Sequence, residues 1–446
     1  MWVIEKGSQL KSVLIVSPHF PPSTLAGVHR ARHLVKYLPA HGWRTRVICV
    51  DPQQHVERLD PELASLVPAD ATIIKAGALP AALTRPLGVA GDIGLRALGH
   101  IRAAIKMEMT TDPPDVVMIT GSPYFPMLLA GWIKQCWKVP VVLDFQDPWV
   151  TPVGAAAKVG TKRWLSHRLA VLFEPKAARS ATFITSVSER QNDDLVERYQ
   201  FLESKPMAAI PIGGDPTDFE ALREAAEQEL DISQAGPVFS YVGTALPRSG
   251  PLFRTLMQGL ALARDAITTP ALMPTIRCVG TSNQPNDNST FRILPIARNE
   301  GVEDAVTEEP ARVPFLDALR ILANTHVVLL IGSDEPHYTA SKIYPGMMSG
   351  RPFLALFHRA SSAHAILSRA GGGIVLGFET QDELAALVPQ IAEALITLVT
   401  KPESVGAINP SAYADYTAHA VAGRFAEIFD RLRDETLNNS SRISVQ

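Results

Sequence analysis

Residues 11–50 pass from an apolar run at 13–16 through a loop rich in Pro, Ser and Gly to an amphipathic stretch over about 28–38. Gly42 and a second apolar run at 47–50 follow. A short apolar run bounded by breakers reads as a buried strand, and apolar positions at helical spacing read as an amphipathic helix, so the segment predicts strand, loop, helix, strand. Two strands joined through a helix of this length pair in parallel and leave the first loop at the carboxyl edge of the sheet. The pattern returns in PDVVMIT (114–120), VPVVLDF (139–145), ATFITSVS (181–188) and PMAAIPIG (206–213). A second series, GPVFSYVGT (236–244), MPTIRCVG (273–280), VVLLIG (327–332), FLALF (353–357) and GGIVLGF (372–378), repeats it. Both halves are therefore expected to be α/β, doubly wound, Rossmann-like parallel-sheet domains, over 11–215 and 236–409, with a linker near 215–235. The stretch 410–436 reads as a helix packing back on the first domain, and the final dozen residues, rich in Asn and Ser, read as disordered.

The chain's 446 residues exceed the roughly 250–300 at which one core usually stops growing, which supports the two-domain reading. A formal charge of −3 argues against a nucleic-acid partner. Cys49, Cys136 and Cys278 form no CxxC pair, and each lies in or beside an apolar run, which fits a reducing compartment. The N-terminus lacks the charged and apolar regions of a signal peptide, and no apolar run reaches the roughly 20 residues of a membrane span. A cytoplasmic protein is expected, with membrane-surface contact left open. LTRPLGVAGDIGLRALGHIRAAIKMEM (83–109) sets Arg85, Arg96, Arg102 and Lys106 among apolar residues. That suits a helix lying on an anionic bilayer or a core helix with a solvated basic face.

Candidate chemistry gathers at the strand exits. In VGTALPRSGP, Gly243 and Thr244 follow a strand, and Arg248 offers a planar fork to a phosphate. In YTASKIYPGMMSGRPF, Thr339 or Ser341 is placed to cap a helix that Lys342 and Ile343 begin, with Pro345 in the turn that should continue it. Pro345 predicts a helix that starts late or bends, an extended Tyr344, and N–H groups of 346–348 turned to an anion. Gly27 opens the helix GVHRARH. Arg30 or Arg32 there reads either as the wall of an anionic site or as a solvated face, and His29 and His33, four apart, lack a third zinc ligand. VVLDFQDPW ends a strand with Asp144, Gln146 and Asp147 at its carboxyl edge.

These pieces, with VLIVSPHFPPSTLAGVHRARHLVKYLPAHGW, ATFITSVSE, IPIGGDPTDF and FSYVGT, resemble in order and spacing the family-4 glycosyltransferases of the GT-B fold, especially bacterial members that build surface polysaccharides. The resemblance implies two Rossmann-like domains facing a central cleft, an acceptor side in the first and a nucleotide-sugar site in the second. It implies a retaining, metal-independent transfer with no cofactor, in which the departing diphosphate acts as base. It also implies a lipid-linked or glycan acceptor and a cytoplasmic location, peripheral at the inner membrane face. It assigns donor binding to Gly243, Thr244, Arg248, Ser341, Lys342 and Ile343, an acceptor or phosphate loop to Gly27 and Arg30, and catalytic positions to Gln146 and Asp147. The family's two glutamates correspond to His337 and Pro345 here, so the acids are replaced. Asp334 or Glu335 is the nearest substitute for the ribose contact, and a GT-B binding subunit without catalysis is the alternative.

Overall fold

The computed structural model describes residues 10–25, 27–57, 59–84, 92–224, 236–282, 287–335 and 341–443. It divides into one unit of residues 1–212 with 418–446 and a second of 213–417. The division thus falls at 212, before the expected linker, of which 225–235 lie outside the described residues.

The first unit is a seven-stranded parallel sheet. Its strands are β1 (Lys11–Val16), β2 (Trp43–Val50), β3 (Thr72–Ala76), β4 (Val116–Gly121), β5 (Val141–Phe145), β6 (Phe183–Ser186) and β7 (Met207–Ala209), in the order β3-β2-β1-β4-β5-β6-β7. β4 and β5 are buried at every position, as strands covered on both faces must be, which is why they read as unbroken apolar runs. Three helices matter below: α1 (Val28–Tyr37), α2 (Ile93–Thr111) and α3 (Lys162–Ser180). Gly42 takes a φ of 78° just after α1, the left-handed turn that lets the chain double back into β2.

The C-terminal helix (Ala418–Ile443) belongs to this unit and lies on α1. Phe425 and Phe429 join Trp43, Leu34 and Leu38 in one core, with the Trp43 and Phe429 rings edge to face at 5.4 Å. Helix continues to Ile443, through residues expected to be disordered. The Asn/Ser composition gives no apolar stripe, and continuity with a docked helix overrides it.

The second unit is a six-stranded parallel sheet. Strands β8 (Val238–Val242), β9 (Thr275–Val279), β10 (Val306–Glu309), β11 (Val327–Ile331), β12 (Phe353–His358) and β13 (Gly373–Phe378) run in the order β10-β9-β8-β11-β12-β13. Helix α4 (Gly250–Ala266) covers one face, and its Leu252, Phe253, Leu256 and Leu260 enter the core. The short helix α5 (Ile343–Met348) follows β11. In each sheet the strand order reverses once, between β1 and β4 and between β8 and β11. A crevice at the carboxyl ends of the strands forms at such a reversal.

Candidate functional site

At the second reversal, β8 is followed by Gly243, whose φ of 128° is open to glycine alone among ordinary residues. The missing side chain leaves room for Lys342: a Cβ on Gly243 would stand 2.6 Å from the Lys342 Cε. Lys342 uses that room to reach back from the start of α5 across the end of β8. Its Nζ donates to the Tyr241 hydroxyl at 2.7 Å and to the Thr244 carbonyl at 2.9 Å, and lies 4.7 Å from the centre of the Tyr241 ring. An apolar cavity of about 130 Å³, with Tyr241, Ile331, Pro345 and Phe357 in its wall, adjoins the amine. No carboxylate pairs with Lys342 among the described residues. Burial therefore pulls its pKa from 10.5 down to about 7.

Arg248 follows β8 at the same reversal but is already engaged. Its Nε donates to Asp334 at 2.6 Å and its Nη1 to Glu335 at 2.9 Å, both at the exit of β11. The hydrogen bond that Arg248 donates to Asp334 raises the Arg248 pKa, although the guanidinium is largely open to solvent. Asp334 and Glu335, expected as ribose contacts, are thus the partners of the expected phosphate ligand. Arg292, which no motif marked, places Nη1 2.6 Å from the Ala245 carbonyl in the same loop. A single arginine in a polar stretch carries no local signal of such a position.

α5 corrects several expectations. Lys342 itself is the N-cap, with no side-chain cap, and Thr339 and His337 lie outside the described residues. Pro345 is the third helical residue, inside the first turn, where a backbone N–H has no intrahelical acceptor to lose. The helix thus starts late, at Ile343, one residue beyond the start that a Ser341 cap would give, and the proline falls within its first turn. Tyr344 is helical and buried rather than extended, and the Gly346 N–H is bonded to the Lys342 carbonyl at 3.1 Å instead of facing a ligand. Ile343 is wholly buried in the core, which leaves its side chain no donor contact; Ser341 is exposed.

At the first reversal, a Cβ on Gly27 would lie 3.4 Å from the Ser122 carbonyl oxygen and 3.5 Å from Gln146 Oε1. Gln146 is buried at the exit of β5, yet neither its Nε2 nor its Oε1 has a partner among the described residues. Asp147, beside it, is exposed. Arg30 is a correction to the expected phosphate loop, because its side chain is fully buried, 3.2 Å from Asp144. It also donates to the carbonyls of Pro211, at 2.9 Å, and Ile210, and sits over the Phe425 ring. Asp144 in turn accepts from Thr185 at 2.7 Å, so the pair ties α1 to the sheet.

Arg32 is buried as well, and its Nη2 lies 2.9 Å from His33 Nε2 and 3.3 Å from His29 Nδ1. Burial, then the Arg32 charge, pulls His29 down to about 3 and His33 well below its ordinary value. A guanidinium therefore stands where a metal bridging these rings would go. His19, His55 and Glu57 form another cluster, unmarked by the motifs, with ligand atoms within 4.8 Å of one another. Glu57 Oε1 receives His55 Nδ1 at 2.7 Å, Ser23 Oγ at 2.9 Å and His19 Nδ1 at 3.2 Å. Burial works to raise the Glu57 pKa, but these two histidines hold it well below the usual carboxylate range. The group satisfies itself internally.

Arg96, expected on a basic helix face, is buried in α2 and donates to the carbonyls of Leu79 at 2.8 Å and Gln54 at 3.0 Å. Arg102 is exposed over the Trp132 ring, and Arg85 lies outside the described residues. Cys136 is exposed, while Cys49 and Cys278 are buried, and all three are free thiols. No helix among the described residues is long and apolar enough to cross a membrane.

Residues 26–213, which carry the Gly27 loop and the Gln146 strand exit, match the family model described as Glycosyl transferase 4-like domain. Solved structures share the two-sheet architecture of the whole chain. Sucrose-phosphate synthase from Thermosynechococcus elongatus aligns over 95% of this chain and 99% of its own, with a TM-score of 0.59 and 14% identity. The trehalose-phosphate synthase of Burkholderia vietnamiensis aligns over 96% and 100%, with a TM-score of 0.60 and 11% identity. The E. coli trehalose-6-phosphate structure bound with UDP-2-fluoro glucose aligns over 94% and 99%, with a TM-score of 0.58 and 11% identity. Identities this low establish a common fold, GT-B, and no more. No curated protein sequence matches the chain.

Proposed function

We propose that the chain is a glycosyltransferase that takes a hexose-type sugar from a nucleotide-diphosphate donor held by the second unit and passes it to a lipid-linked or glycan acceptor in surface polysaccharide synthesis. The observation that carries the reading is Lys342: a buried amine without a counter-charge, seated by Gly243 at the strand reversal, is a site that an arriving anion completes. The E. coli neighbour was solved with UDP-2-fluoro glucose, which makes a UDP-sugar the first donor to try. In this reading Lys342 carries the pyrophosphate. Arg248 exchanges one of its carboxylates for it, and the other carboxylate, Asp334 or Glu335, turns to the ribose. Charge stabilisation of the leaving diphosphate supplies much of the acceleration, and that diphosphate takes the acceptor's proton, so the sugar is transferred with retention and without a metal. Gln146, whose amide is buried and unpartnered beside Gly27, hydrogen-bonds an acceptor or sugar hydroxyl, and Asp147 orients it.

Titration calorimetry with UDP, GDP and ADP and their sugars tests the donor claim directly. One nucleotide should bind and its sugar should turn over in the presence of a chelator. Lys342→Ala should weaken that binding by about two to three kcal/mol, the usual worth of a charge-assisted hydrogen bond left unmade. Absence of binding across the panel defeats the proposal.

One observation favours a second reading, a binding subunit of a polysaccharide assembly that has lost catalysis: Arg248 is neutralised by two carboxylates. Single-turnover product formation separates the two, since a binding subunit holds the nucleotide and forms no glycoside.

A further inference from the structure

A different surface of the first unit carries a signal that the donor site does not use. From Pro148 to Ser188 the chain has a single acidic residue, Glu174, and it is buried, held by Arg198 and Tyr199. Over the same span Lys158, Lys162, Arg163, Arg168, Lys176 and Arg179 are all exposed. None of these cations forms an ion pair among the described residues. Apolar side chains are exposed among them. Val153, Val159, Leu165, Val171 and Leu172 are five of the fourteen large apolar residues that the described chain exposes, so a third of that surface falls within twenty positions.

Most of these residues lie on α3. Leu165, Arg168, Leu172, Lys176 and Arg179 are spaced by 3, 4, 4 and 3 residues, which places them along one face of the helix. Beside its first turn lies an open groove of about 510 Å³ between Trp149, Thr151, Val153, Lys162, Arg163 and His167. The His167 Nδ1 within it is buried and has no hydrogen-bond partner.

We infer that this face of α3, with the groove at its start, docks the protein on an anionic phospholipid bilayer. Leucine and valine enter the headgroup layer, lysine and arginine meet the phosphates, and the groove receives a headgroup. The charge selects the partner's sign. Exposed leucines interleaved with the cations select a bilayer over an acidic protein or a nucleic acid, because a soluble polyanion offers them no apolar phase. α2, the helix whose composition suggested such a role, is a poorer candidate. Its Arg96 is buried, and Glu108 on the same helix neutralises Arg46. The inference is independent of the donor reading, since its residues lie in the first unit and Lys342 in the second.

Flotation of the purified full-length protein with phosphatidylcholine vesicles, with and without phosphatidylglycerol, tests it. The protein should float only with the anionic vesicles, and less as salt is raised. R168E/K176E should weaken binding at least about tenfold, from the loss of two cations at the surface. L165S/L172S should weaken it too while keeping the wild-type melting temperature, and K106E on α2 should change nothing. Equal flotation with neutral vesicles overturns the inference, as does binding that survives both α3 variants or is lost with K106E. Wild-type retention by L165S/L172S, with full displacement by soluble polyglutamate, overturns it in favour of an acidic partner. UDP binding in the same preparations reports separately on the second unit.

Discussion

At the scale of single residues, two cations withdrawn from solvent, Arg30 and Lys342, have opposite meanings. Arg30 is matched by Asp144 and two carbonyl oxygens, so it holds structure; Lys342 has only neutral acceptors, so it waits for charge. Arg30→Ala strands a buried carboxylate and should cost about 3–5 kcal/mol in urea unfolding, while R30M/D144L, which removes both charges, should recover part of that loss. Lys342 makes a prediction in pH. Its folded pKa, about 7, lies below its ordinary 10.5, so between those values the folded protein binds fewer protons than the unfolded chain and stability rises with pH. Below about pH 7 both states carry the proton and the cost of burying it is fully present. Lys342→Met should therefore melt higher than the parent at pH 6, with the gap closing as pH climbs towards 10. Because a bound diphosphate restores the charge, nucleotide binding at pH 8 should take up a proton, detectable as a buffer-dependent enthalpy in calorimetry. Binding that exchanges no proton would remove Lys342 from the phosphate.

At the scale of elements, most of the strands were legible because a parallel strand covered on both faces must be a run of apolar residues. β3 and β10 were not. TIIKA carries exposed residues at an outer strand, and VTEE alternates buried with exposed, so neither presents the continuous apolar signal. The basic stretch HRARH misled for the converse reason. On its own it looks like a solvated helix face, and what buries Arg30 is Phe425, nearly four hundred residues downstream. Geometry at the second strand reversal was half legible: Gly243 and Lys342 do come together, whereas the pairing of Arg248 with Asp334 and Glu335 depends on two strand exits meeting in space. Pro345 gives this scale its own test. A proline in a helix interior costs about 3 kcal/mol, so replacing one there by alanine should stabilise strongly. In the first turn of α5 no such gain is available, and Pro345→Ala should shift stability by no more than about 0.5 kcal/mol. A large stabilisation in thermal unfolding would mean that the helix begins earlier than Ile343.

At the scale of the whole molecule, the chain leaves its first unit at 212, completes the second, and returns at 418 to supply the helix that closes the first. The core of the second unit, from Phe239 to Val399, owes nothing to that return. The core against α1 does: Val421, Phe425, Phe429 and Leu432 are wholly buried there, packed with Leu34, Leu38 and Trp43. Loss of a single buried phenylalanine costs about 3–5 kcal/mol, against a total domain stability of about 5–15 kcal/mol, so loss of the whole helix exceeds what the first unit can bear. A chain ending at residue 417 should consequently unfold in one half only. Hydrogen exchange read by mass spectrometry should show peptides of β1, β2 and β4 unprotected, while β8, β11 and β12 keep the protection they have in the full chain. Protection of β1 in the shortened chain would show that the seven-stranded sheet stands without its last helix. Uniform loss of protection would show instead that the two units, although each has a core of its own, fold as one.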